Sequence, residues 1–127
     1  MTATPAQRMV AAEARLSLPW PPSTNALYAN VKGKGRIITE EYADWKREAG
    51  WTLKAQHPPK FHKPVTIGIE LCPPHSRRFD LDNRTKSVLD LLVTHLVIPD
   101  DNSELVRSVT VSRVDTGAPC TVIVREI

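Results

Sequence analysis

The stretch "VTIGIELCPPHSRRFDLDNRTKSVLDLLVTH", Val65 to His95, changes its hydrophobic period part-way along, and that change decides the fold. Val65, Ile67, Ile69 and Leu71 alternate with small or polar residues, the period of two that marks a half-buried strand. "PPHSRR" then interrupts it, because proline donates nothing to a sheet ladder. From Asp82 to about His95 the spacing is helical, with Thr85, Val88, Leu89, Leu92 and Leu96 expected inward. Between strand and helix sit Arg77, Arg78, Asp80 and Asp82. Two carboxylates that close repel one another unless a cation lies between them.

Working outward, "RLSLPWPPSTN" reads as a strand from Arg15 that Pro19, Pro21 and Pro22 bring to an end. "VKGKGRI" is a glycine-broken, basic hairpin or loop. Thr39 has the chemistry of a helix N-cap, and Glu40 and Glu41 suit the positive end of the helix dipole. Tyr42, Trp45, Ala49 and Leu53 form the apolar stripe of that helix, with Trp51 pointing roughly opposite, over a neighbouring loop or into a subunit interface. "HPPKFHKP" is a loop and "VIPDDNSE" a turn. "LVRSVTVSRV" and "TVIVREI" read as two strands, and the Gly/Pro punctuation of "DTGAP" predicts a hairpin between them.

The expected architecture is α+β, a single small domain with a mixed, mostly antiparallel sheet and two helices packed on one face. A chain of 127 residues fits one core of this kind. Residues 1–14 are expected to form a flexible N-terminal extension and residues 15–127 the domain. No apolar run approaches the roughly 20 residues that span a bilayer, and the N-terminus lacks the order of a signal peptide. The two cysteines, Cys72 and Cys120, fall in apolar strand-like runs without metal-ligand spacing. Reduced thiols and a cytoplasmic location, without membrane contact, are the matching expectation.

The formal net charge is +3, which by itself fits a solvated surface as well as a polyanion partner. The basic residues gather at 32–36, 46–47, 60–63 and 77–86, a dispersion that folding can still bring to one face. Oxygen-only donors such as Asp80 and Asp82 suit a hard cation, Mg²⁺ or Mn²⁺, in a site open to substrate. A calcium loop does not fit: Arg84, Thr85 and Leu91 fall where a ligand, the turn glycine and the bidentate glutamate belong. Asp82 or Asn83 serves equally well as a plain helix cap, and Lys86 as a routine helical partner of Asp82 or Asp90. Asp100 and Asp101 offer a further carboxylate, though Pro-Asp-Asp-Asn is also good turn chemistry.

Three blocks taken together, "LPWPPSTNALY", "RRFDLDNRTKSVLDLL" and "IPDDNSELVRSVTVSRV", resemble the RusA family of Holliday-junction resolvases. The resemblance covers about Arg15 to Arg125. It implies a homodimeric, Mg²⁺-dependent endonuclease that binds four-way DNA junctions and nicks two opposing strands. It implies catalytic and metal roles for Asp80, Asp82 and Asp101, with Lys86 as the essential lysine. Arg77, Arg78, Asn83 and Arg84, with Lys32 and Lys34 of the basic hairpin, are the expected DNA contacts. Phe79 stands where the family often continues with arginine, and the role of "PWPPSTN" does not follow from its residues. Two other readings stand beside this one, a flap- or fork-cleaving nuclease of the same family and a non-catalytic DNA-binding module.

Overall fold

The computed structural model describes residues 12–127, so most of the expected 1–14 extension lies outside the described residues. Strand β1, Glu13–Leu18, alternates perfectly and buries Ala14, Leu16 and Leu18. After the proline segment, β2 (Tyr28–Val31) and β3 (Gly35–Ile38) pair antiparallel as a small separate sheet. Their turn carries Lys32 and Lys34, and Gly33 and Gly35 adopt φ of 81° and 74°, a region that side-chain-bearing residues avoid. Helix α1, Glu40–Ala55, starts on the Thr39 hydroxyl, which accepts from the Tyr42 amide at 3.2 Å. Its buried face is Tyr42, Trp45, Ala49, Gly50 and Leu53.

Strand β4 is Val65–Leu71. The second helical segment begins close to the expected Asp82 but more tightly wound, with a 3₁₀ turn over Leu81–Arg84 before the α-helix proper, α2, Thr85–Thr94. Ser87, Val88, Leu91 and Leu92 are its buried residues. Leu96, expected inward, is instead 56% exposed with φ of 58°, because the helix has already ended in a left-handed turn. Val97 and Ile98 take the buried places, and the Phe61 amide bonds the Val97 carbonyl at 2.8 Å, docking the 56–64 loop.

Strands β5 (Val106–Arg113) and β6 (Cys120–Glu126) do not form the expected hairpin. The main sheet runs β1-β6-β4-β5. β5 lies parallel to β4, while β6 crosses over and enters antiparallel between β1 and β4. The reason is burial: Val122 and Val124 are fully enclosed only in a central strand, whereas β5 is mostly exposed. The β4-α2-β5 unit is thus a crossover, as parallel pairing requires. One hydrophobic core joins the inner sheet face to both helices. No helix among the described residues is long and apolar enough to cross a membrane. Cys120 is buried and Cys72 partly so, and neither is bonded.

Candidate metal centre and nucleic-acid interface

Proline explains how the middle of the chain is held. Its missing N–H bars Pro19, Pro21 and Pro22 from a ladder but leaves their carbonyls free to accept. Each is taken by a side chain from a helical segment. Trp45 Nε1 donates to the Pro19 carbonyl at 3.2 Å, Arg84 Nη1 to that of Pro21 at 2.6 Å, and Ser87 Oγ to that of Pro22 at 3.5 Å. Thr24 Oγ1 adds a bond to the Asn83 carbonyl at 3.1 Å. The proline segment is therefore a strap across the start of α2, a role that needs tertiary contacts to be seen.

Trp20 stands at the middle of the strap. Its ring meets Phe79 edge-on at 5.1 Å between centroids and His75 at 6.1 Å. The Arg84 guanidinium lies over it at 4.8 Å. Phe79 is turned inward, half-buried against the core, with Arg113 of β5 over its ring at 5.8 Å. Such aromatic and cation–π contacts each contribute about 0.5–1.5 kcal/mol beyond burial. Together they anchor the residue immediately before Asp80. Sequence reasoning passed over Trp20, Phe79 and Arg113 as positioning groups; only the prolines flanking Trp20 hinted at a fixed ring.

Asp80 and Asp82 are exposed. Asp80 occupies the cap position of the 3₁₀ turn without any side-chain capping bond, and α2 is entered through Arg84, also without a side-chain cap. Among the described residues, neither Asp80 nor Asp82 forms a salt bridge or side-chain hydrogen bond. The plain capping explanation for Asp82 therefore fails; only its backbone carbonyl is used, accepting from Thr85 Oγ1 at 3.1 Å. Two solvent-facing carboxylates, unengaged by the fold and made only of oxygen donors, have the chemistry for a hard divalent cation.

The other expected residues are dispersed around this pair. Lys86 reaches along its helix to Asp90, 3.4 Å away. Arg77 and Arg78 are exposed in the loop before Phe79. Arg84 is committed to the strap, and burial lowers its pKa, with a smaller opposing effect from Glu41. Lys32 and Lys34 are exposed at the β2-β3 tip. Asp101 is exposed in the turn before β5. Its neighbour Asp100 accepts from the Asp101 amide at 2.7 Å and from Asn102 Nδ2 at 3.1 Å, which holds the Asp100 carboxyl below its usual pKa. Asp100 is thus the residue that closes the turn, with a small further contribution from the Asp101 side chain. Among the described residues, no three His, Cys, Asp or Glu side chains gather closely enough to hold a metal. Within one chain, the Asp80-Asp82 pair and Asp101 are not assembled into one cluster.

A cleft of about 410 Å³ lies elsewhere, between the strap and α1, lined by Glu41, Asp44 and Glu48 beside Trp20 and Trp45. Its acids repel phosphate, so it is not the nucleic-acid face. Trp51 is 68% exposed with Lys54 at 5.4 Å over its ring, and covers no loop.

A family model described as Endodeoxyribonuclease RusA matches residues 19–125, from the strap to the last strand. The chain belongs to the RusA family. Proteins named crossover junction endodeoxyribonuclease RusA from Escherichia coli K12, Shigella sonnei and Enterobacteria phage 82 are each 36% identical to it over 77 residues. The matched stretch is 61% of this chain and 64% of each of those RusA proteins.

Proposed function

We propose that this RusA-family chain is a divalent-metal-dependent endodeoxyribonuclease that resolves four-way DNA junctions by paired nicks, in recombination and repair. The observation that carries the reading is the Asp80-Asp82 pair, whose exposed carboxylates make no side-chain hydrogen bond or salt bridge among the described residues. A pure DNA-binding module gains nothing from bare carboxylates beside phosphate. Its relatives' name, crossover junction endodeoxyribonuclease, supports the junction as substrate.

Asp80 and Asp82 would hold the metal, with Asp101 as third carboxylate, and Mg²⁺ is the expected ion with Mn²⁺ as substitute. When bound, such an ion lowers the pKa of a coordinated water and neutralises phosphoryl charge. The chain's own residues do the rest. Arg77, Arg78, Lys32 and Lys34, all exposed, would supply the phosphate contacts. Lys86, four residues after Asp82, would leave Asp90 to meet charge developing on the phosphate. Arg84 fixes the turn instead of touching DNA. A junction is close to two-fold symmetric, so a homodimer sets two such sites on matched strands.

The test is a labelled mobile four-way junction incubated with and without Mg²⁺, beside flap and fork substrates. Paired symmetric nicks that need metal and are confined to the junction support the reading. Equal cutting of flaps favours the flap nuclease, and metal-independent binding without cutting leaves a binding module.

A further inference from the structure

The small β2-β3 sheet turns a row of polar side chains to solvent. Residues two apart on a strand share a face. Tyr28 and Asn30 of β2 therefore lie side by side, and Asn30 stands directly opposite Arg36 of β3 in the ladder. The Arg36 guanidinium reaches its diagonal neighbour and lies over the Tyr28 ring at 4.4 Å. Thr24 and Asn25, from the short 3₁₀ turn Thr24–Ala26, complete a pocket of about 330 Å³ lined by these five residues.

The lining carries one cation, two carboxamides and two hydroxyls. It has no acid, in contrast to the cleft beside α1, so a nucleic acid is not repelled. Among the described residues, the side chains of Asn25, Asn30 and Arg36 make no hydrogen bond or salt bridge. A phosphate oxygen only accepts, and would leave the carbonyl half of each carboxamide idle. A nucleobase edge sets donors beside acceptors, the pattern that asparagine meets with two bonds and arginine with its fork.

The pocket is also tied to the candidate metal ligands. Thr24 Oγ1 donates to the Asn83 carbonyl at 3.1 Å, and Asn83 directly follows Asp82. Lys32 and Lys34 lie exposed further along the same hairpin, where phosphate contacts would hold the strand.

We propose that this pocket receives the edge of one DNA base near the cut, and that Asn25, Asn30 and Arg36 select it. The chain then discriminates among junctions by base as well as by shape. The nearness to a cut rests on the nuclease reading above; the chemistry of the pocket does not.

The experiment uses an immobile four-way junction prepared with each of the four bases in turn at the positions flanking the crossover. Single-turnover nicking with Mg²⁺ and binding competition without it are measured on the whole panel. Wild type should favour one base by about 5- to 150-fold, the range of a well-formed two-bond base contact. Asn30→Ala and Arg36→Lys, with folding checked by circular dichroism, should lose most of that preference, since lysine keeps the charge but not the fork. Lys34→Ala should weaken every version alike and lower the salt slope by about one contact. A merely structural defect slows all versions equally and leaves their ratio untouched. A wild type indifferent to base in both assays overturns the proposal, as does a preference that survives in both pocket variants. Should wild type cut nothing while competition shows a preference that Asn30→Ala loses, the nuclease reading fails and the pocket stands.

Discussion

Arg84 lies over the Trp20 ring at 4.8 Å while donating to the Pro21 carbonyl at 2.6 Å, so one guanidinium ties the strap to the turn that carries Asp82. The family resemblance implies a DNA contact for Arg84, and in the structure its Nη1 and the face of its guanidinium are engaged within the protein.

Removing this tie should loosen the turn. Arg84→Ala is expected to cost about 1–3 kcal/mol of stability, the range for a charged donor that leaves a carbonyl unsatisfied. Arg84→Lys should recover only part, because lysine lacks the planar fork that stacks and donates together. The salt dependence of junction binding should keep its slope in both variants. A slope lower by about one phosphate contact would return Arg84 to the DNA face.

Among the described residues Asp82 makes no side-chain hydrogen bond or salt bridge, so Asp82→Asn should leave thermal stability within about 0.5 kcal/mol of wild type. Cleavage should fall below detection while junction binding persists, since phosphate contacts supply most of the affinity. Gel-shift and single-turnover assays on the same preparation check this; joint loss of binding and cutting would count against a ligand role.

His95 packs beside Gly50, where an added Cβ would lie 3.0 Å from its Nε2. Burial lowers the His95 pKa from its usual 6.5, with Lys54 adding to the effect. The unfolded chain then binds the proton more readily than the folded one. The stability contributed is complete above about pH 6.5 and is lost as pH falls from that value through the lower folded pKa. Denaturant midpoints measured from neutral to mildly acid pH should decline, and His95→Gln should flatten that part of the curve.

Burial pushes the Cys120 thiol up to about 12, while Cys72 at the end of β4 is partly exposed. A thiol reagent at mildly alkaline pH should therefore modify Cys72 in the native protein and reach Cys120 only after unfolding. Mass spectrometry of the adducts decides it; early double labelling would mean that the β6 core opens readily.

Local physical rules were legible in the residues themselves. The alternation of Val65 to Leu71, the Thr39 cap and the stripe of α1 depend on neighbours two to four positions apart, and all three stand as read. Where β6 goes was not legible, because a Gly/Pro turn is compatible both with a hairpin and with a crossover. The choice falls to the burial of Val122 and Val124 between two other strands. The same limit hid the strap, since a proline carbonyl advertises no partner until Trp45, Arg84 and Ser87 arrive from 26 to 65 residues away. The sequence by itself named the acids and the family blocks. Only the tertiary structure decided which acids stand together, for carboxylates far apart along a chain meet or stay separate according to strand order and pairing.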